Sequence, residues 1–255
     1  ERLHKELDGL LCGAAAASVL RQFRAVLWVL VPELRDADGF RQYNYHHAYT
    51  VWGHTLAALD AAEPEPVLRL TMLLHDVGKP AAFTMDKQLV GHFYGHAVIG
   101  AALTERILRR LRYDGETIRT VTELVRRHDT DLYPPTEKRL RRVLAALGEE
   151  QTRRLIRVRR ADRLGKGTED VERLEEFIRQ VTQCVDAVLA ADCCLTRKQL
   201  AISGDDLMAL GIPRGRAMGA LLDRILQAVV EGDVQNEPVI LMHYAQKLWK
   251  KSTNA

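Results

Sequence analysis

Leu73-Leu74-His75-Asp76-Val77-Gly78-Lys79-Pro80 places a histidine and an aspartate side by side at the end of an apolar run. The run predicts a buried helix. Neighbours on a helix diverge by about 100°, so the two side chains splay and can grip one ion from a single turn. Imidazole nitrogen with carboxylate oxygen suits iron, manganese, cobalt, nickel or zinc, and magnesium less well. Working outward, the pair has company: His54 a helix earlier, His92 and His96 after it, His128-Asp129 beyond them, and Asp162 in Arg160-Ala161-Asp162-Arg163.

Singly, most of these residues have a plainer reading. His54 alone fits a satisfied helix-surface residue, and Asp162 alone a salt-bridge partner of its flanking arginines. His128 alone fits a helix C-terminus, where a cation suits the dipole. Jointly, their order and spacing predict ligands from several helices converging on one point. His54, His75, Asp76 and Asp162 supply two imidazoles and two carboxylates. A cation held there lowers the pKa of bound water and polarises a phosphoryl oxygen. His96 and His128 complete a second metal position, or donate hydrogen bonds to a phosphate and protonate the leaving oxygen. Gly78 permits a turn off the helix and close approach of substrate, and Lys79 reads as a phosphate contact.

A chain of 255 residues can bury a substantial core as one large domain or two smaller ones. Aromatic residues make up 6%, which disfavours a protein that reads single strands by stacking many bases. The net charge of +3 is compatible with phosphate-bearing partners. Cys12, Cys184, Cys193 and Cys194 form no C-x-x-C, so the expectation is reduced thiols in a cytoplasmic protein. The apolar run Ala25 to Pro32 is too short to span a bilayer, and the N-terminus does not read as a signal peptide. Opening on Glu1 rather than Met suggests an excerpted chain. There is no Walker loop, no nucleotide-binding G-x-G-x-x-G and no serine elbow.

Apolar periodicity predicts helices over residues 2–12, from the Ala-rich segment to Leu30, from about His47 to Ala62, and from Val67 to His75. A short excursion follows over residues 81–91, with Phe83-Thr84-Met85 extended. Further helices are expected from His96 to Leu111, from Asp114 or Glu116 to the His128 region, from Pro134 to Gly148, from Glu149 to Arg163 and from Glu169 to Leu189. Short capped helices around Leu195–Leu200 and Ser203–Leu207 precede long ones from Pro213 and Asn236. Basic runs at Arg109–Arg112, Arg139–Arg142 and Arg153–Arg160 read as mostly solvated helix faces. The expected class is all-α: N-terminal helices over 1–35, a helical bundle over 36–190, and a small C-terminal helical module over 191–255.

The pattern His54…His75-Asp76…Asp162 resembles that of the HD-domain metal-dependent phosphohydrolases. Tyr45-His46-His47-Ala48-Tyr49-Thr50-Val51-Trp52-Gly53-His54, Leu73 to Phe83, Gly91 to His96 and Arg126 to Asp129 are similar to segments of bacterial CCA-adding tRNA nucleotidyltransferases that carry an HD domain. Glu1 to Leu11 with Val31-Pro32-Glu33-Leu34 resembles that family's body, and Leu195 to Gly219 its tail. Nothing resembles the family's nucleotidyltransferase head, so this chain is not expected to add CCA by itself. The resemblance implies phosphatase and 2′,3′-cyclic phosphodiesterase activity on nucleotides or RNA 3′-ends, with one or two divalent metals. It implies His54, His75, Asp76 and Asp162 as ligands, and His96 and His128 for a second ion. Two other readings stand beside it: a non-catalytic tRNA-docking body and tail, and a hydrolase of dNTPs or alarmones that the same ligands would serve.

Overall fold

The computed structural model describes residues 2–43, 48–191 and 193–253. Among these, thirteen α-helices, two 3-10 turns and one two-stranded ribbon make up the regular structure, so the protein is all-α as expected. The expected helix start near His47, together with Tyr45 and His46, lies outside the described residues, as does Asp192 in the segment 190–196. The chain divides into two compact units, residues 1–131 with 153–179 and residues 132–152 with 180–255.

In chain order the elements are α1 (Arg2–Cys12), α2 (Ala16–Gln22), α3 (Arg24–Leu30), a 3-10 turn (Pro32–Ala37), α4 (Val51–Ala61), α5 (Pro66–Leu74) and α6 (Lys79–Ala82). Strands β1 (Thr84–Met85) and β2 (Gly91–His92) pair antiparallel, Thr84 opposite His92. There follow α7 (His96–Arg110), α8 (Gly115–Arg127), α9 (Glu137–Gly165), α10 (Val171–Ala190), a 3-10 turn (Arg197–Gln199), α11 (Gly204–Ala209), α12 (Arg216–Val230) and α13 (Pro238–Thr253).

The first unit is built around α5. Pro66 opens the helix, where its missing N–H costs nothing. Leu68, Leu70, Met72, Leu73 and Leu74 are all buried, as suits a helix that packs on nearly every side. Its neighbours are capped by their own sequence. Thr50 Oγ1 accepts the Gly53 N–H at the start of α4, and Asp114 Oδ1 accepts the Glu116 and Thr117 N–H groups at 2.9 Å at the start of α8. One expected boundary differs: the Ala-rich helix is two helices, broken at Phe23 where φ is −106° and ψ 26°. The boundary expected at Gly148 is present as a kink within α9, where φ 74° and ψ 172° leave the helical region, a backbone state that glycine reaches without steric penalty.

The second unit has its own core, in which Leu207, Ile212, Leu221, Ile225 and Leu241 are buried. Its short helices are held by reciprocal caps: Ser203 Oγ accepts from Asp206 N–H while Asp206 Oδ2 accepts from Ser203 N–H, and Thr196 and Gln199 do the same. Among the described residues no helix is long and apolar enough to cross a membrane.

One contact in the first unit sets the later geometry. Gly165, at the end of α9, lies so close to α4 that a Cβ there would stand 2.7 Å from both the Cβ and the backbone N of Ala58. Ala58 is one turn beyond His54, and Gly165 one turn beyond Asp162. Gly165→Ala is therefore expected to push α9 off α4 and lower the unfolding free energy by about 1–3 kcal/mol. A urea midpoint equal to wild type would contradict this.

Candidate metal centre

Each ligand-type side chain is aimed by the end of a helix. His54 sits on the first turn of α4, whereas His75 and Asp76 follow the last residue of α5. His96 opens α7 after Gly95, whose φ of 74° is left-handed. His128 caps α8, and Asp162 lies on the last turn of α9. His54, His75, Asp76, His128 and Asp162 are buried, and His96 nearly so.

The donor atoms converge in two groups that share one carboxylate. In the first, His54 Nε2 is 3.0 Å from His75 Nε2, 3.0 Å from Asp162 Oδ1 and 3.4 Å from Asp76 Oδ2. His75 Nε2 lies 3.3 Å from Asp76 Oδ2 and 3.6 Å from Asp162 Oδ1. In the second, His96 Nε2 and His128 Nε2 are 3.2 Å apart, at 3.7 and 3.6 Å from Asp76 Oδ1. Asp76 thus turns one oxygen to each group. The structure brings together all six residues expected to be ligands.

The donor chemistry fits a cation. His75 Nδ1 donates to the Met72 carbonyl at 2.8 Å, His96 Nδ1 to Phe93 at 2.8 Å and His128 Nδ1 to Val125 at 2.7 Å. Two of these carbonyls belong to the last turns of α5 and α8, which lack partners within the helix. The ring that satisfies the helix end is thereby locked with its Nε2 lone pair outward, the arrangement found around metal-binding imidazoles. Burial pushes the His96 imidazole below its ordinary pKa, and attraction to Asp76 offsets this only in part, so its Nε2 is an acceptor near neutral pH. Two acceptors facing each other at 3.2 Å repel unless a positive charge lies between them. Asp76 Oδ2 is buried without a hydrogen bond of good geometry, although Lys79 Nζ stands 2.7 Å away as an ion-pair partner.

Burial also acts on the carboxylates, and is overcome. It pushes the Asp76 carboxyl up, but the neighbouring His75 ring, the Lys79 ammonium and the His128 ring together hold it well below the usual carboxylate range. The same opposition sets Asp162: burial raises it, and the neighbouring His54 and His75 rings with Lys166 lower it by more. Both are therefore ionised at neutral pH.

Lys79 is buried, not solvated. Its Nζ pairs with Asp76, donates to Gln42 Oε1 at 2.8 Å and lies over the Phe93 ring at 5.4 Å from the centroid. The ammonium thus donates one hydrogen to Gln42 and is held by Asp76 as an ion pair. A cleft of about 340 Å³ opens beside the cluster, lined by Asp76, Lys79, Tyr94, His96, His128, Asp129, Arg159, Asp162 and Lys166 among others.

Three expectations need correction. The space beside Gly78 is filled by α7, not reserved for substrate: a Cβ there would collide with the His96 carbonyl oxygen and stand 2.6 Å from Gly100 N. The flanking arginines of Asp162 pair elsewhere, Arg160 with Glu175 and Arg163 with Glu169. Arg159 reaches Asp162 Oδ2 instead, at 3.5 Å, and donates to the His128 carbonyl at 2.9 Å. The basic run on α9 is also less solvated than expected, since Arg154 and Arg157 meet Glu63 and Glu65. Sequence reading missed Arg159 and Lys166 because nothing local distinguishes them from neighbouring cations. His92 stays apart from both groups and meets Asp86 Oδ2 at 2.7 Å.

Fold and site together define an all-α protein with, among the described residues, two His/Asp groups that could each hold a metal ion, joined through one aspartate. The sequence profile described as "tRNA nucleotidyltransferase domain 2 putative" matches residues 94–245, and the chain belongs to this family. It is 38% identical over 244 residues to a CC-adding tRNA nucleotidyltransferase of Thermus thermophilus, covering 92% of this chain and 54% of that protein. It is 32% identical over 247 residues to an A-adding tRNA nucleotidyltransferase of Deinococcus radiodurans, covering 92% and 55%. A bifunctional uridylyltransferase/uridylyl-removing enzyme of Ruegeria pomeroyi is 28% identical over 146 residues, 48% of this chain and 15% of that protein. The chain thus spans about half the length of the tRNA nucleotidyltransferases it matches.

Proposed function

We propose that the chain carries an HD-type metal-dependent phosphohydrolase, a phosphomonoesterase and 2′,3′-cyclic phosphodiesterase acting on nucleotides or RNA ends. The observation that carries this reading is the convergence of six ligand-type side chains, drawn from five helices or helix ends, on a cleft with three cations. His54, His75, Asp76 and Asp162 would hold the first ion, and Asp76, His96 and His128 a second. Imidazole-rich ligation suits iron, manganese, cobalt, nickel or zinc better than magnesium. When bound, the metal supplies Lewis acidity toward an attacking water and a phosphoryl oxygen.

The remaining work falls to the chain's own atoms. Asp76 fixes the separation of the two groups by offering one oxygen to each. Lys79 offers an N–H to a phosphoryl oxygen and, held by Asp76 and Gln42, does so without searching conformations. Arg159 and Lys166 attract the anionic substrate into the cleft. His96 and His128 serve as ligands rather than as proton donors, because their Nδ1 hydrogens are committed to backbone carbonyls. One relative is named for removing uridylyl groups, which supports hydrolysis of a phosphodiester.

The second reading is a non-catalytic tRNA-docking part of a longer nucleotidyltransferase, favoured by the names of two relatives that span twice this length. Turnover separates the two. Metal-loaded protein is expected to hydrolyse 2′,3′-cyclic AMP and bis-p-nitrophenyl phosphate, and His75→Ala to lose at least 100-fold in kcat/KM. No turnover with any of the five transition metals, together with tRNA binding that weakens steeply with salt, would establish the docking role instead.

A further inference from the structure

The ribbon before α7 builds a rigid aromatic surface beside the cleft that no ligand role uses. His92 and Tyr94 stack with ring centroids 5.3 Å apart and planes 8° from parallel. His92 Nε2 donates to Asp86 Oδ2 at 2.7 Å, which leaves Nδ1 to accept from the Tyr94 hydroxyl at 3.4 Å. Asp86 is fixed in turn, its Oδ1 accepting the Gln88 and Val90 N–H groups at 2.9 Å. The result is a carboxylate–imidazole–phenol chain that holds one tyrosine ring in place.

Tyr94 is 77% exposed and lines the same cleft as Asp76, His96 and His128. Exposed side chains normally keep their rotamer freedom. A tyrosine immobilised by a stack and a hydrogen-bond chain, yet open to solvent, presents an aromatic face that the fold itself leaves unused. Tyr94 is two residues from His96, so their Cα atoms lie within about 7.6 Å, and both residues line the one cleft.

We propose that Tyr94, backed by His92 and Asp86, is a base-stacking subsite of the cleft. The substrate is then a nucleoside phosphate or the terminal nucleotide of an RNA, its base on Tyr94 and its phosphate at the His/Asp cluster. Every base offers a π-face, so the subsite selects base-bearing phosphates over base-less ones without reading sequence. A single platform is also compatible with the low aromatic content, which argues only against binding many bases. This inference rests on the hydrolase reading of the cluster.

The test compares 2′,3′-cyclic AMP with the 2′,3′-cyclic phosphate of 1-O-methylribose, which keeps the reacting group and lacks the base. Tyr94→Ala is expected to raise KM for cyclic AMP about tenfold, with kcat within twofold, and to leave KM for the base-less ester where it was. Tyr94→Phe keeps the ring and its stack on His92 but loses the hydroxyl bond, and His92→Ala loses both supports. Both are expected to raise KM for cyclic AMP by less than Tyr94→Ala, His92→Ala more than Tyr94→Phe. An equal KM change for both esters, or none for either, overturns the subsite. Calorimetric binding of adenosine 2′-phosphate to metal-loaded protein separates this proposal from the one beneath it. Tyr94-dependent binding without turnover supports the subsite and removes the hydrolase; turnover with Tyr94-independent binding removes the subsite alone; neither turnover nor binding overturns both.

Discussion

Asp76→Ala is expected to abolish hydrolysis, to below about 1% of wild type, and to strip the bound metal while the protein stays helical. The reason is position. Asp76 is the carboxylate shared by both groups, 3.3 Å from His75, 3.4 Å from His54, 3.6 Å from His128 and 3.7 Å from His96. Removing outer-shell partners of a metal site costs 10–100-fold, and removing the shared ligand should exceed that. Its loss also leaves the Lys79 ammonium buried without its carboxylate. Asp76→Asn, similar in shape but neutral, isolates the charge and is expected to fail in the same way. Circular dichroism, elemental analysis and turnover of 2′,3′-cyclic AMP check the three parts separately. Full turnover by either variant would place the chemistry elsewhere.

Gly78→Ala is expected to give the largest loss from the smallest change, about 3 kcal/mol of stability and 10–100-fold in metal affinity. The added methyl has no place to go: it meets the backbone of α7 at His96 and Gly100, and backbone yields less readily than a side chain tip. The helix that must retreat is the one that carries His96 toward Asp76. Gly100→Ala is the control, since a Cβ there meets only ordinary contacts of 3.5 Å, and it should leave metal binding near wild type. Thermal melts with metal titrations decide between them. If Gly78→Ala matches wild type in both, α7 is not held to the His75-Asp76 turn in the way the structure shows.

These two residues also mark what a sequence can and cannot convey. His75-Asp76 was legible because imidazoles and carboxylates are scarce on an apolar helix, whereas His54, His96, His128 and Asp162 were legible only jointly, through their order and spacing. Gly78 was legible as a glycine but not in its purpose. A sequence shows that a Cβ is missing, and only the fold shows what passes through the gap. Gly165 carried no signal at all for the same reason.

Arg159 was hidden among the arginines of α9, where helix rotation alone decides which of them turns toward Asp162 and which pair with Glu63, Glu65 or Glu175. His92 and His96 are four apart, so one helical face could have held both. Gly95 in the left-handed region ends that continuity, and His92 lies on β2 with Asp86 as its partner. The break at Phe23 was missed because apolar periodicity runs through it unbroken, and periodicity reports which side is buried rather than where the backbone turns.

The central claim is that His54, His75, Asp76 and Asp162 point at one shared cation. Elemental analysis of protein loaded with excess transition metal and then desalted, paired with X-ray absorption of the bound ion, tests it directly. One or two ions per chain are predicted, in a shell of nitrogen and oxygen with imidazole scattering, and the stoichiometry should collapse in His54→Ala and in Asp162→Ala. Protein that emerges metal-free from excess iron, manganese, cobalt, nickel and zinc, or that keeps its ion in both variants, would contradict the account.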